Sequence, residues 1–147
     1  MEIPFGLPGL KLPFSFLIPE KTETIELSRS VDPETEIEPR DNVATIPFTG
    51  FIIGVHIEIP ITAQDVQTGI PLIHVRVGKN FWAEEVPIVP KSGYIKTPGL
   101  KKTFYVFVPV KAGDQVWANI INYDKSNRHW VTVEVEIAKF KEIPIKI

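Results

Sequence analysis

The sequence predicts an all-β fold, an antiparallel β-sandwich or barrel of jelly-roll or Greek-key type, preceded by an extended proline-rich amino-terminal arm. Three observations carry this. Isoleucine and valine supply 35 of the 147 residues, against 7 leucines and 6 alanines, a balance that suits pleated, half-buried surfaces better than helices. From residue 46 onward apolar side chains recur with period 2, in strand-length runs separated by Gly, Pro, Asp and Asn. No stretch carries a convincing helical period, and a chain of this length fits a single core.

In FIIGVHIEI, Phe51, Ile53, Val55, Ile57 and Ile59 alternate with Ile52, Gly54, His56 and Glu58, which predicts a half-buried strand with the first set inward. GIPLIHVRV repeats the pattern with Ile73, Val75 and Val77 inward and His74 and Arg76 outward. NFWAEEV and GYIKT are shorter candidates. TFYVFVPV, QVWANIINY and HWVTVEVEIA, joined by KAGD and DKSNR, read as three antiparallel strands linked by two turns. EIPIKI alternates again, and Pro144 restricts it to an edge.

Before residue 46 the pattern changes. TETIELS allows one strand, with Ile25 and Leu27 on one face; VDPETEIEPRDN is a turn-rich connector. Residues 1–45 are therefore read as an extended arm and acidic connector, and residues 46–147 as the β-domain. The opening MEIPFGLPGLKLPFSFLIPE is not read as an export signal, because it starts with Glu2 and its prolines break every apolar run. No later stretch is apolar enough for a membrane helix, so a soluble protein is expected.

Residues 20–41 hold eight acids against three bases, a local net charge of −5, whereas residues 42–147 hold twelve bases against nine acids. An acidic segment and a mildly basic body attract, within one chain or between neighbours. Neither part is basic enough for nucleic acid to be the main partner. The absence of cysteine excludes disulfides, thiolate nucleophiles and cysteine-ligated metals. One methionine, five asparagines and three glutamines, with many prolines, resemble the depletion of labile residues in heat-adapted proteins.

Catalytic chemistry is poorly supplied. His56, His74 and His129 have no metal-ligand spacing, and Glu84 and Glu85 are adjacent, so a strand points them to opposite faces. Asp124, Ser126 and Asn127, which offer oxygens to calcium, equally favour a tight turn, as does Asp114. No enzyme, cofactor or metal is expected.

Two binding readings remain. Trp117, Tyr123 and Trp130, with Trp82, Tyr94 and Tyr105 and the amides of Asn119 and Asn122, form a candidate platform for sugar rings; alternatively Trp117 and Trp130 pair across a hairpin as a structural contact. The other reading comes from the arm. Phe5, Leu7, Leu10, Leu12, Phe14, Phe16, Leu17 and Ile18 are more apolar surface than a monomer usually exposes, and prolines pre-extend the segment, lowering the entropy lost on docking. Such a strap lies against its own sandwich or a neighbour's.

An extended proline-rich arm on a small cysteine-free β-domain of thermophilic character resembles the auxiliary, or decoration, head proteins of thermophilic tailed bacteriophages. The resemblance covers the layout of the chain and rests on no diagnostic motif. It implies a trimer on the capsid exterior, made in the host cytoplasm, whose arms dock on neighbouring subunits and on the major capsid protein, with no catalytic residue. The alternative is a carbohydrate-binding or adhesive β-sandwich.

Overall fold

The computed structural model describes residues 14–80, 86–89 and 93–145. Ten strands form two antiparallel sheets: β1 (Phe14–Glu26), β2 (Arg29–Val31), β3 (Thr35–Ile37), β4 (Val43–Thr45), β5 (Gly50–Glu58), β6 (Ile73–Lys79), β7 (Val86–Val89), β8 (Lys101–Val110), β9 (Gln115–Asn122) and β10 (His129–Ile145). The first sheet runs β1-β10-β5-β8, with β2 also on β10. The second runs β3-β9-β6-β7, with β4 also on β9.

β1 and β2 are successive lengths of one edge strand, since Glu26 opposes Glu134 and Arg29 opposes Val131. β3 and β4 follow one another along β9 in the same way, parted by a 3-10 turn at Pro39–Asp41. Counting each pair once leaves eight strands, in which first pairs with last, second with seventh, third with sixth and fourth with fifth. That is a long hairpin rolled into two sheets, the jelly roll. The predicted fold class is the one found.

Rolling works because the long strands carry an apolar stripe on one face. Ile25, Leu27 and Val31, Val55 and Ile57, Val131, Val133, Val135 and Ile137 from the first sheet meet Ile73, Val75 and Val77, Val116, Ala118 and Ile120 from the second, all buried. These are mostly β-branched side chains, stiff about their first torsion and suited to sheet faces. No helix among the described residues is long and apolar enough to cross a membrane.

Three expectations are corrected. The boundary at residue 45 dissolves: residues 14–31 pair along β10 and 35–45 along β9, because Ile25, Leu27 and Val31 supply core that the sandwich would otherwise lack. Within β5 the face assignment breaks. Ile52 is buried and Phe51 turns outward, because the register shifts between Ile52 and Gly54 against β8 and between Glu136 and Ile137 against β10; an extra residue in a strand reverses the faces on its far side. The last three long strands are not consecutive hairpins. β9 lies in the second sheet while β8 and β10 lie in the first, so both connecting turns cross between sheets.

Residues 142–145 of EIPIKI continue β10, and residues 146–147 lie outside the described residues. Beyond Ala138, the last residue of β10 paired with β5, β10 is held by β1, so residues 14–19 and 140–145 form a two-stranded ribbon. Pro144 and Pro19 are tolerated there because each lies where a strand has a partner on one side only. Leu17 is exposed and Ile18 half-buried in this ribbon, and the backbones of Phe14 and Phe16 belong to it. Phe5, Leu7, Leu10 and Leu12 lie outside the described residues.

Candidate functional site

The two outer faces differ. On the second sheet, Trp117 occupies an outward position of β9 and is nonetheless fully buried. Its indole lies across Gly78, where any Cβ would collide with the ring, and its Nε1 donates to the Asn80 carbonyl at 3.4 Å. The Arg76 guanidinium stacks 5.1 Å from Trp117 and 5.3 Å from Tyr94. The Tyr94 hydroxyl donates to Asn119 Oδ1 at 2.7 Å, and Asn119 Nδ2 donates to Glu36 Oε2 and to the Ile37 carbonyl. Tyr123 packs edge-on against His74, 4.8 Å between centroids; burial, aided by the charge of Lys96, holds His74 below its ordinary value. Around Trp117 this face is covered by its own side chains, whereas Tyr123 is 50% exposed.

The predicted glycan platform is therefore not assembled. Trp117 belongs to the second sheet, with Tyr123 just past the end of β9, and Trp130 to the first, which also removes the cross-strand pairing of Trp117 with Trp130. Asp124 is a turn residue, as its neighbours suggest. It accepts the N–H groups of Ser126 and Asn127 at 2.9 and 3.1 Å, while His129 Nε2 lies 2.8 Å from its other oxygen. Among the described residues no three His, Asp or Glu side chains are arranged to hold a metal ion.

The outer face of the first sheet is open, and register orders it in rows across four strands. Glu26, Glu134, His56 and Thr103 stand side by side in one row; Thr24, Glu136, Gly54 and Tyr105 form the next. His56 Nδ1 lies 2.8 Å from Thr103 Oγ1 and its Nε2 donates to Glu58 Oε2 at 2.7 Å, which fixes the ring. Ser28 Oγ donates to Glu26 and accepts the Val133 N–H. Burial, then a hydrogen bond shared with Glu26 and the charge of Glu26, raise the carboxyl of Glu134 above the ordinary range. Because Gly54 has no side chain, a cleft of about 300 Å3 opens between the rows.

Aromatic residues flank this polar centre. Toward the start of β10, Trp130 is 59% exposed, and its Nε1 donates to Thr132 Oγ1 at 3.2 Å. Beside it is a cleft of about 460 Å3 between Pro60, Ile61 and Leu100 and the side chains of Glu58, Lys101 and Arg128. Toward the ribbon, Phe51 stacks on Phe107 with centroids 4.1 Å apart and planes 14° from parallel, and Phe140 lies 6.1 Å from both. Phe107 is 60% exposed. Next to this cluster a groove of about 670 Å3 runs past Phe51, Phe140 and Pro109 and is rimmed by Lys79, Lys111 and Lys139.

Local sequence spacing carries no sign of either group. Glu26, His56, Thr103 and Glu134, like Phe51, Phe107 and Phe140, are outward residues on strands distant in sequence, and pairing register alone assembles them. The chain is a jelly roll with one open face and, on the other sheet, a tryptophan covered by its own neighbours. Neither a known protein family, nor a curated protein, nor a solved structure matches this chain.

Proposed function

We propose that this protein is a structural component of a virion, decorating and bracing an icosahedral phage capsid as a trimer, with the amino-terminal arm of each copy docked on a neighbour. The observation that carries the reading is the Phe51–Phe107–Phe140 cluster, with Phe107 exposed on two half-buried rings, beside a groove rimmed by Lys79, Lys111 and Lys139. Phenylalanines clustered at the surface around one exposed ring form an apolar patch of the kind that marks interfaces. Residues 1–13 bring the apolar side chains Phe5, Leu7, Leu10 and Leu12 for such a patch, and the lysine rim suits an acidic surface on the capsid.

Geometry adds a route. Residues 1–13 join the fold at Phe14, at the end of the ribbon where it opposes Ile145. Thirteen residues in extended form span at most about 45 Å, enough to reach an adjacent subunit. Arms engaging in several copies at once make weak single contacts collectively strong. Jelly rolls recur in viral capsids, an association of fold that raises the reading without supplying its mechanism. In this account the body stands on the capsid exterior and the major capsid protein is the second partner.

The test is co-sedimentation with capsids of the cognate phage for the full chain, a variant lacking residues 1–13, and Phe107→Ser. Removing residues 1–13, rather than 1–19, leaves the β1 pairing whole. Loss of binding in both variants, with unchanged circular dichroism, is the expected result. Wild-type binding by both contradicts the proposal.

A further inference from the structure

We infer a second, separate function at the other end of the open face: the cleft beside Trp130 is a binding site for a neutral pyranose sugar, the first subsite of a short oligosaccharide laid along β10. Trp130 and Trp117 sit in opposite situations, one exposed and one sealed under Arg76 and Tyr94. An exposed indole is a flat apolar plate with a polar edge. Here the edge is bonded to Thr132 Oγ1, so the plate is held in one orientation with little further entropy to lose on binding.

The surroundings supply what a sugar needs beyond a stacking plate. A pyranose presents one apolar C–H face and a ring of hydroxyls, each both donor and acceptor. Pro60, Ile61 and Leu100 give the cleft an apolar wall, while Glu58, Lys101 and Arg128 place acceptors and donors at its rim. Two of these polar groups are pre-positioned: Arg128 Nε donates to Asp32 Oδ1 at 2.8 Å, and one oxygen of Glu58 takes the His56 N–H at 2.7 Å. The volume, about 460 Å3, falls within the range of small-molecule sites.

Charge selects among ligands that stack on indole. Single-stranded nucleic acid stacks its bases on aromatic side chains but requires a cationic track for its phosphates. The face leading away from Trp130 is the reverse, with Glu58, Glu26, Glu134 and Glu136 in successive rows. Beyond the first subsite, whose rim holds Lys101 and Arg128, an anionic oligosaccharide meets the same repulsion from Glu26, Glu134 and Glu136. A neutral oligosaccharide does not, and finds hydroxyl partners in Thr132, Thr103 and Thr24 along the same rows. Tyr105, 85% exposed and opposite Gly54, is the next aromatic plate. Its row lies six residues along β10 from Trp130, roughly 20 Å at strand rise.

The experiment is titration of the full chain, followed by tryptophan emission and by calorimetry, with gluco-, galacto- and N-acetylglucosamine oligosaccharides of increasing length and with oligoglucuronate as the anionic control. Saturable binding of at least one neutral series, stronger for longer members, is expected. Trp130→Ala should weaken it at least about tenfold, and Tyr105→Ala should weaken the long members while sparing the monosaccharide. Both side chains are exposed, so an unchanged melting temperature separates lost binding from lost folding. No binding of any neutral series at millimolar concentration, tighter binding of oligoglucuronate, or wild-type affinity in Trp130→Ala overturns the inference. Trp130 is ten residues along β10 from Phe140, roughly 33 Å, so Phe107→Ser should leave sugar binding intact and Trp130→Ala should leave capsid binding intact.

Discussion

Glu26 and Glu134 stand directly opposite one another on neighbouring strands of the open face, and Glu134 holds its proton to higher pH than an ordinary carboxyl, through burial first and Glu26 second. His56, on the other side of Glu134, opposes the shift, and Glu58 adds to it. Like charges facing across a β-pair destabilise it, and this pair lies where the edge strand β1 is held to the sheet.

The pH dependence follows from the direction of the shift. The folded chain binds this proton more tightly than the unfolded chain, so stability falls as pH rises from the ordinary value of 4.5 through the raised one, and the penalty persists above it. Glu134→Gln should stabilise the protein at neutral pH by about 0.2–1 kcal/mol and flatten the pH profile above 4.5. Thermal melts across that range check it; a lower melting temperature than wild type at pH 7 contradicts it.

Asp124 has the opposite sign. The Ser126 N–H, then His129, bring its carboxyl down to about 2 from 3.8, so its stabilisation is complete above 3.8 and is lost as pH falls through about 2. Asp124→Ala leaves two backbone N–H groups and the buried His129 without their acceptor, a loss of about 3 kcal/mol. Urea unfolding at pH 7 measures it, and a change under about 0.5 kcal/mol would show that the turn holds without Asp124.

Gly78→Ala places a methyl group against the Trp117 indole. Overpacking of this kind costs about 1–3 kcal/mol, and the displaced indole should change its emission. A variant as stable as wild type with the same emission would mean that Trp117 is not seated as described.

Much of the sandwich was legible because period 2 is a local signal. Val131, Val133, Val135 and Ile137 alternate without interruption, and all are buried. The failure at β5 came from the same rule, since one register shift at Ile52 and Gly54 turns Phe51 from core to surface and no side chain announces it. The arm boundary was misplaced because Ile25, Leu27 and Val31 are sparse core residues among acids, and only their pairing with β10 shows them to be core. The open face was the least legible part. Its rows take one residue from each of four strands, and Trp117 and Trp130, alike in sequence as aromatic residues of late strands, are separated by the crossing from one sheet to the other.

Assembly runs through the arm and the phenylalanine cluster in the proposed trimer, and Phe107→Ser perturbs it with little structural cost, since the lost stacking amounts to about 0.5–1.5 kcal/mol. The direct measurement is molar mass by light scattering of the full chain, of the chain lacking residues 1–13 and of Phe107→Ser, each confirmed folded. The full protein should have three times the 16.6 kDa of one chain, and both variants a lower mass. A full chain that runs as a monomer, or variants that keep the three-fold mass, would contradict it.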